Sequence, residues 1–468
     1  MANNCKIFTP DSYVTELLDI ADYNRGLLGR SVLENSCGDG NILKEVVRRY
    51  IADSLERGYD LEEIRGGLEA DICGVELEQE HADRCRKNLD REAEAFGIHG
   101  VNWNIICGNY LKIQLNRQFS YVLGNPPYIV YRDIEKGERE YLRSHFESCG
   151  EGKFDYYYAF IEKSIHELEE NGRMAYIVPS SIYKNVFARR LREEIQPFLT
   201  GVYDYTSQNK FPGTTISSTI LCIRRQVSAD FCYRDMEQER EFWLRKELQG
   251  EKWVFDNVVA EGQIRFGDWF QVSNTVATLC NDAFLLEDYR QEDGYYILPN
   301  GDRIEEEVVK PAVSRKRRDV ACAMIFPYAY EAGELRHYTD EEFRERFPCA
   351  VEHLERFRER LKKRASDKNA AWFEYGRGQA LQKIQYRKAV IPSILTNRVR
   401  VTIAAEGVIP CAGFMITELG GRTLEDARNI LESPGFYYYL RQIGIFTTGK
   451  SRRLTVKDIE NYTFNTWR

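Results

Sequence analysis

The chain has 468 residues, of which 43% are hydrophobic and 29% charged, and its formal net charge is -8 at pH 7. This length exceeds one ordinary hydrophobic core, so two or three domains are expected in a globular protein. The sequence has neither the basic region and apolar run of a secretion signal nor a long uncharged apolar stretch, so we expect no secretion and no membrane span.

Cysteine and histidine spacing argues against disulfides and metals. The twelve cysteines are scattered singly, without a Cys-x-x-Cys pair, which is typical of a reducing cytoplasm. The six histidines form no His-Glu-x-x-His motif and no cluster with cysteines at zinc spacing. We therefore predict no structural or catalytic metal.

The first 225 residues alternate apolar strands with amphipathic helices. Because strands separated by helices pair in parallel, this pattern predicts a doubly wound α/β sheet, whose ligands lie at the carboxyl ends of the strands. The predicted strands are 31–34, 71–76, 103–107, 121–124, 173–178 and 219–224, and the predicted helices are 41–51, a charged helix ending near 91, and 156–168.

A glycine-rich turn, LENSCGDG (33–40), follows the first predicted strand. Glycines at this point let the backbone approach a ligand, but Leu43 stands where the dinucleotide pattern has its third glycine. Glu34 would repel a pyrophosphate and attract a cation. Glu76 ends the second strand, where a carboxylate can hold both ribose hydroxyls. Together these residues favour an adenosine ligand with a positive charge and no phosphate, a description that fits S-adenosyl-L-methionine.

Asn-Pro-Pro-Tyr (125–128) ends the fourth predicted strand, because proline cannot donate ladder hydrogen bonds and restricts the residue before it. A rigid turn is one interpretation. In the other, the Asn125 side-chain oxygen and the Pro126 carbonyl oxygen accept the two hydrogens of an aromatic exocyclic amine. That would free the lone pair of the nitrogen for methyl transfer. Tyr128 then offers a flat face for stacking.

After about residue 226 the regular alternation of apolar strands and amphipathic helices ends. We predict a first domain over 1–228 and a second, mixed α+β domain over 229–468. A linker rich in Glu, Arg and Lys is expected at 236–252, and a helix with an apolar face at 347–364.

The second domain contains a basic segment. Residues 308–400 include 21 Lys and Arg against 12 Asp and Glu, a local excess of nine positive charges in an acidic chain. Such a segment is typical of a face that binds a polyanion. A solvated helix face explains the run ERFRERLKKR equally well.

Eight short segments resemble the N6-adenine DNA methyltransferases with a C-terminal specificity domain, the group typified by the TaqI methyltransferase and the Eco57I-like modification enzymes. The segments are IFTP (7–10), VLENSCGDG (32–40), GVELE (74–78), CGNYL (107–111), GNPPY (124–128), KFDYYYAFIEKS (153–164), GRMAYIVPSSI (172–182) and FPGTTISS (211–218). Their order resembles the gamma arrangement of that family. The resemblance implies a class I, Rossmann-like methyltransferase domain followed by a DNA-recognition domain.

The resemblance also implies cofactor contacts at matching positions. Thr9 and the first loop would contact the methionine part of S-adenosyl-L-methionine. Glu76 would hold the ribose, Asn109 the adenine amino group and Pro127 the adenine ring. The loop residues are Glu34, Asn35, Ser36, Cys37, Gly38 and Gly40.

For the target, the resemblance implies that Asn125 and Pro126 bind the amine of an extruded adenine, while Tyr128 and Phe211 sandwich the base. A base inside a duplex cannot reach such a pocket, so base flipping is implied.

Two positions depart from the family pattern. Asn35 stands where the family commonly has proline, which should affect the stiffness of the loop more than the chemistry. Asn109 stands where the family has aspartate; its amide oxygen can accept from adenine but brings no charge. We expect altered cofactor binding, and lost activity is an alternative.

The second domain resembles the family's recognition domain less strongly, in KPAVSRKRRD, FPYAYE, WFEYGRGQAL and TGKSRRL. Basic loops would contact phosphates while a few side chains contact base edges. For Arg377 and Gln379, an ordinary polar turn explains the pattern at least as well. The candidate DNA-binding residues are Arg315, Lys316, Arg317, Arg377, Gln379 and Lys450.

The predicted partner is double-stranded DNA, and the predicted state is a monomer at the nucleoid in the bacterial cytoplasm. Because only eight residues precede Thr9, we expect any cognate restriction endonuclease to be a separate chain. One alternative is a methyltransferase for RNA bases or for protein glutamine. Another is a DNA-binding modification subunit with degenerate activity.

Overall fold

The computed structural model of the chain divides into two compact units, Met1–Val258 and Val259–Arg468. The structure describes residues 9–206, 208, 210, 217–249, 251–255, 264–313, 322–396, 398–446 and 451–465. Within these ranges no helix has the length and the apolar character needed to cross a membrane.

The first unit contains nine strands and seven α-helices in its described residues. The strands are β1 (Val32–Glu34), β2 (Ile72–Glu76), β3 (Asn104–Cys107), β4 (Phe119–Gly124), β5 (Leu168–Pro179), β6 (Leu199–Asp204), β7 (Ser218–Arg224), β8 (Asp230–Asp235) and β9 (Arg240–Arg245). The helices are α1 (Asp11–Ile20), α2 (Asn41–Glu56), α3 (Leu61–Asp71), α4 (Gln79–Glu94), α5 (Lys136–His145), α6 (Tyr157–Glu167) and α7 (Arg189–Ile195).

These strands form one sheet in the order β3-β2-β1-β4-β5-β7-β6-β8-β9. Strands β3, β2, β1, β4 and β5 are parallel, and β7 runs antiparallel between β5 and β6. The chain builds outward from β1 in one direction and resumes at β4 in the other. The point of reversal, where such sheets bind ligands, therefore lies between β1 and β4.

Helices cover both faces of the sheet. Successive residues of a strand point to opposite faces, so apolar neighbours on one strand pack against helices on different sides. On β1, Val32 belongs to the apolar cluster that includes α2 and α4, whereas Leu33 belongs to the cluster that includes α6 and α7. Val122 and Leu123 on β4 divide in the same way. This two-sided burial confirms the predicted doubly wound sheet.

The predicted linker at 236–252 is wrong over most of its length. It contains β9, which pairs antiparallel with β8, and β8 extends the sheet beyond β6. The charged residues of β9 hid a strand whose Leu244 packs in the core. The observed division after residue 258 therefore differs from the expected boundary at 228–229.

The second unit is a mixed α+β fold of small sheets and short helices. Its helices are α8 (Phe266–Trp269), α9 (Asn281–Phe284), α10 (Asp340–Arg346), α11 (Pro348–Glu355), α12 (Arg358–Lys362), α13 (Leu424–Leu431), α14 (Pro434–Ile443) and α15 (Val456–Glu460). Its first strands are β10 (Ile264–Arg265), β11 (Phe270–Asn274), β12 (Leu285–Leu286), β13 (Arg290–Glu292), β14 (Tyr295–Ile297), β15 (Arg303–Glu305), β16 (Val309–Val313), β17 (Cys322–Ile325), β18 (Tyr328–Glu331) and β19 (Glu334–His337). The others are β20 (Lys388–Ile391), β21 (Ile394–Leu395), β22 (Thr402–Ala404), β23 (Ile409–Pro410), β24 (Phe414–Glu418), β25 (Ile445–Phe446), β26 (Arg452–Arg453) and β27 (Thr463–Phe464).

The single helix predicted at 347–364 is instead two helices, α11 and α12, with a break between Glu355 and Arg358. The predicted apolar face is nevertheless buried, as at Val351, Leu354 and Leu361. Helical periodicity identified which side chains face the core, but it carried no signal for the turn that separates the two helices.

Helix α3 leads directly into β2, so its packing supports the strand that ends at Glu76. A Cβ added at Gly67 would lie 2.2 Å from the Tyr50 hydroxyl oxygen, whereas a Cβ at Gly66 meets nothing within 4 Å. The Tyr50 side chain is fully buried and its hydroxyl donates to Asp71 Oδ2 at 2.6 Å. The ring therefore has little room to yield.

Alanine substitutions at the two adjacent glycines should change stability in opposite directions. Gly67→Ala should lower the free energy of unfolding by about 1–3 kcal/mol, because the new methyl group displaces the Tyr50 hydroxyl. Gly66→Ala should raise it by about 0.5–1 kcal/mol through helix propensity alone. Urea unfolding of both variants measures this. A stabilising Gly67→Ala change would contradict the packing described here.

Candidate active site

The polar ends of three neighbouring parallel strands define the candidate active site. Glu34 ends β1, Glu76 ends β2, and Gly124 ends β4 immediately before Asn125. Because β2, β1 and β4 are adjacent and parallel, these ends lie at the same edge of the sheet. The structure thus brings the glycine loop, the second acid and the Asn-Pro-Pro-Tyr segment together.

The glycine loop turns sharply between β1 and α2. Gly38 and Gly40 have φ values of 52° and 85°, in the left-handed region that favours glycine. A Cβ at Gly40 would lie 2.7 Å from Cys85 Sγ. The backbone N–H of Cys37 donates to the Val75 carbonyl oxygen at 3.0 Å. The loop is therefore pressed against β2 and α4, where no larger residue fits at position 40.

Backbone hydrogen bonds orient the Glu76 carboxylate. Its Oε2 accepts from the Gly38 N–H at 2.9 Å, and its Oε1 accepts from the Glu78 N–H at 2.9 Å. A carboxylate has about four lone-pair sites, so each oxygen keeps capacity for one more donor. Two adjacent hydroxyl groups are donors of the required kind.

Glu34 lies beneath the loop instead of facing solvent, since only 3% of its surface is exposed. Its Oε2 is buried without a hydrogen-bond partner among the described residues. Burial, together with the nearby Cys85 thiol and Glu76, raises the pKa of Glu34 well above its ordinary value, while the Leu43 N–H acts in the opposite direction. The site thus holds an acid that a nearby cation would help to ionise.

Asn35 is tied to two other elements of the sheet unit. Its Nδ2 donates to Ser164 Oγ of α6 at 2.9 Å and to the Tyr176 hydroxyl of β5. Its Oδ1 is buried and has no partner among the described residues. The next residue, Ser36, donates from Oγ to the Asn125 carbonyl oxygen at 3.3 Å. The first loop therefore contacts the Asn-Pro-Pro-Tyr segment directly.

The Asn125 side chain is held at both ends of its amide. Nδ2 donates to Thr9 Oγ1 at 3.2 Å. Oδ1 lies 2.5 Å from the Tyr128 hydroxyl, which also lies 2.8 Å from the Ile177 carbonyl oxygen. The single hydroxyl proton goes to one of these two acceptors, and Asn125 Oδ1 retains a free lone pair in either case.

Tyr128 is more enclosed than an open stacking platform. Its ring meets the edge of the Tyr157 ring, with centroids 5.9 Å apart, and burial raises its pKa well above the ordinary value. The loop is further held where Tyr156 N–H donates to the Ile129 carbonyl oxygen at 2.9 Å. Pro126 is a buried residue, and no described residue donates a backbone hydrogen bond to its carbonyl oxygen.

Asn109 begins a short 3-10 helix, Tyr110–Lys112, and its side chain caps that helix. Its Oδ1 accepts from the Leu111 N–H at 3.0 Å, and its Nδ2 lies 3.5 Å from Glu138 Oε1. Sequence reasoning missed Glu138, which has no motif around it.

Several predicted residues remain outside this cluster or outside the described chain. Arg377 pairs with Asp367 at 2.7 Å in the second unit, as an ordinary polar turn would, and Gln379 is exposed nearby. The remaining candidates, Phe211, Arg315, Lys316, Arg317 and Lys450, lie outside the described residues.

Comparison with known proteins finds a matching family model and similar relatives. Residues 49–209 match the family model described as Eco57I restriction-modification methylase. The Type II restriction enzyme and methyltransferase RM.Eco57I of Escherichia coli is 24% identical over 336 residues, 62% of this chain and 34% of the relative. The Type II methyltransferase M.BstVI of Geobacillus stearothermophilus is 28% identical over 201 residues, 40% of this chain and 36% of the relative. The chain thus spans about a third of the length of these relatives.

A solved structure shares the fold. The Type IIL restriction-modification enzyme MmeI, determined in complex with DNA, has a TM-score of 0.62 at 15% identity, covering 96% of this chain and 64% of that chain. The similarity confirms the predicted class of fold. Over residues 49–209, the match to the family model also confirms the resemblance to the Eco57I-like modification enzymes inferred from the sequence.

Proposed function

We propose that the chain transfers a methyl group from S-adenosyl-L-methionine to the N6 amino group of an adenine extruded from double-stranded DNA, at a specific sequence. The first unit carries the chemistry in this proposal, and the second unit recognises DNA. The relatives of this chain are named as Type II methyltransferases, which supports modification of DNA.

The observation that carries the proposal is the environment of Asn125. Its amide is fixed between Thr9 Oγ1 and the Tyr128 hydroxyl, and its carbonyl oxygen accepts from Ser36 of the glycine loop. A hydrogen-bond acceptor for an amine is therefore rigidly held beside the loop expected to bind the methyl donor. Such preorganisation is what electrostatic catalysis requires.

The residues at the strand ends fit the proposed cofactor. Glu76 presents two oriented oxygens for the ribose hydroxyls. Glu34 supplies a buried carboxyl oxygen that has no hydrogen-bond partner in the described part of the chain, which suits it to a positive charge. The glycine loop admits close approach of a ligand, and Pro127 would pack on the adenine. When bound, S-adenosyl-L-methionine supplies an electrophilic methyl group.

Asn125 and Pro126 activate the target nitrogen in this proposal. Its two hydrogens point to Asn125 Oδ1 and the Pro126 carbonyl oxygen, which draws the nitrogen away from conjugation and frees its lone pair. With the cofactor bound, that lone pair would form the new bond to the methyl carbon while the bond from this carbon to the sulfonium sulfur breaks. The electron pair of the broken bond would stay on sulfur in S-adenosyl-L-homocysteine, and the surplus proton on nitrogen would pass to solvent. No side chain with a tuned pKa is needed before the transfer.

DNA would contact both units in this proposal: the first unit would bind the extruded base, and the second unit would bind the duplex. Tyr128, with Phe211, would stack on the flipped base and offset part of the unstacking cost. The basic residues of the second unit would contact phosphates. We include in the proposal a monomeric chain and a restriction endonuclease supplied by another polypeptide; light scattering and a DNA cleavage assay test these two points.

A methyl-transfer assay distinguishes the proposal from its alternatives. Purified protein is incubated with labelled S-adenosyl-L-methionine and duplex DNA, RNA or protein, and the DNA is sequenced for N6-methyladenine. Methylation confined to RNA or protein would contradict the proposal. Binding of DNA without any methylation would instead favour a modification subunit with degenerate activity, for which Asn35 and Asn109 are the sequence support.

Substitutions at the two ends of the Asn-Pro-Pro-Tyr segment should separate turnover from base capture. Asn125→Ala should lower the single-turnover rate by about a hundredfold or more, because one acceptor for the amine is lost. Tyr128→Ala should weaken binding of DNA that carries the target adenine more than Asn125→Ala does, and it should also lower the rate, because Asn125 loses the hydroxyl beside its Oδ1. Both variants should bind the cofactor nearly normally in calorimetry. Equal loss of cofactor binding in both would count against the assigned roles.

Affinity for the cationic cofactor should increase with pH. Burial raises the pKa of Glu34, so the free protein holds this carboxyl protonated at pH values between the ordinary and the raised pKa. A bound cation favours the ionised form, and binding in that window therefore releases a proton. Calorimetry in two buffers of different ionisation enthalpy measures the release.

Glu34→Gln should abolish both the proton release and the rise of affinity with pH. Glu80→Gln is the matched control, because Glu80 lies on the surface of α4 with an exposed side chain. A proton release that survives in Glu34→Gln would show that another group titrates.

A further inference from the structure

The structure brings an acidic side chain to position 109, where the sequence has an amide. The family pattern has aspartate there, with the expected role of binding the adenine amino group. Asn109 Oδ1 is already used, because it accepts the Leu111 N–H at 3.0 Å. The opposite atom of the amide, Nδ2, is a donor that cannot accept a hydrogen from an amine. Asn109 thus offers adenine only the second lone pair of a neutral oxygen and brings no negative charge to the site.

Glu138 of α5 approaches the same point from another part of the chain. Its Oε1 lies 3.5 Å from Asn109 Nδ2 and accepts from the Tyr156 hydroxyl at 3.2 Å. Its Oε2 accepts from Lys112 Nζ at 2.7 Å. The Glu138 side chain is 20% exposed. A carboxylate is therefore anchored beside Asn109 and is still partly open to a ligand.

The donors around Glu138 leave acceptor capacity unused. A carboxylate offers about four lone-pair sites, and the three donors occupy at most three of them. The contact from Asn109 is at the outer limit of a hydrogen bond, so an adenine amino group could replace it at little cost. The Lys112 and Tyr156 contacts would keep the carboxylate in place when that happens.

The aromatic side chain of Tyr156 contacts this carboxylate, and further rings pack in sequence beyond Tyr156. Tyr156 is buried, and its ring lies 5.6 Å from Phe160. Phe160 in turn lies 5.2 Å from Tyr110, the residue after Asn109. A flat heterocycle is a suitable ligand for a site of this composition, in which an apolar wall carries a small number of placed polar groups.

We infer that Glu138 is a cofactor-binding residue that accepts a hydrogen bond from the 6-amino group of the cofactor's adenine, in the role that the family assigns to the aspartate at position 109. This inference rests on the proposed function for the identity of the cofactor. The inference predicts that the site selects among purines by the group at position 6. The carboxylate attracts a 6-amino group, gains no hydrogen bond from a hydrogen at position 6, and repels the carbonyl oxygen of a 6-oxo purine.

Binding of two ligands that differ only at position 6 tests the inference. The ligands are S-adenosyl-L-homocysteine and its analogue with hydrogen in place of the 6-amino group, measured by calorimetry on the full chain. The wild type should prefer the adenine ligand by about tenfold or more, the range of a hydrogen bond to a charged group. Glu138→Gln should reduce this ratio severalfold, because the acceptor loses its charge.

Two further variants make the test specific. Asn109→Asp combined with Glu138→Gln should restore the preference, since it returns a carboxylate to the site. Glu140→Gln changes an exposed carboxylate on the same helix and should leave the ratio unaltered.

The outcomes separate the inference from the proposed function. A Glu138→Gln variant that binds both ligands equally more weakly, or that keeps the wild-type ratio, overturns the inference and leaves the proposed function intact. A wild type that shows the preference but does not methylate DNA contradicts the proposed function alone. A wild type that binds neither ligand contradicts both.

Discussion

Hydrogen bonding between the parallel strands β2, β1 and β4 sets where every polar group of the candidate active site lies. Val32 pairs with Ile72 on one side and with Tyr121 on the other, so the three strands reach the same edge in step. A shift of one residue in a strand would turn its side chains to the opposite face of the sheet. Because alternate residues of β1 pack into different cores, such a shift would bury the wrong groups, and the register is held by the packing of both faces.

The second level of order is a set of side-chain bonds among loops that are distant in sequence. Thr9, Ser36 and Tyr128 all lie within hydrogen-bonding distance of Asn125, although Thr9 and Ser36 are about 90 or more residues away from it in the sequence. These bonds satisfy both atoms of the Asn125 amide, so the side chain has one favoured orientation. The rigidity of Pro-Pro and the bonding of Asn125 therefore serve the same end: both reduce the reorganisation needed when an amine arrives.

The sequence predicted the strand ends because each is marked locally. The apolar runs of β1 and β2 stop at an acid, and that of β4 stops at Gly-Asn-Pro, so Glu34, Glu76 and Asn125 were identifiable without tertiary information. Burial of Glu34 was not, because it depends on α4 packing over the loop. The bond from the Tyr128 hydroxyl to Asn125 depends on a rotamer, and the position of Glu138 depends on how α5 folds back toward Asn109. Strands β6, β8 and β9 were missed, the last two because polar residues obscure their alternation.

Asn35 stands where the family that the sequence resembles commonly has proline. The contacts of Asn35 show how the fold can compensate for the stiffness that a proline would give the loop. Proline would stiffen the loop by restricting the unfolded chain, an effect of about 0.4–1 kcal/mol. Asn35 instead ties the loop to α6 and β5 through Ser164 and Tyr176, and each hydrogen bond has a net value of about 0.5–1.5 kcal/mol. Against this stands its Oδ1, which no described residue contacts as a hydrogen-bond donor, since a buried acceptor without a donor costs about 1–3 kcal/mol. The two contributions are similar in size, so the amide changes how the loop is held, from backbone restriction to cross-linking by side chains, more than how firmly it is held.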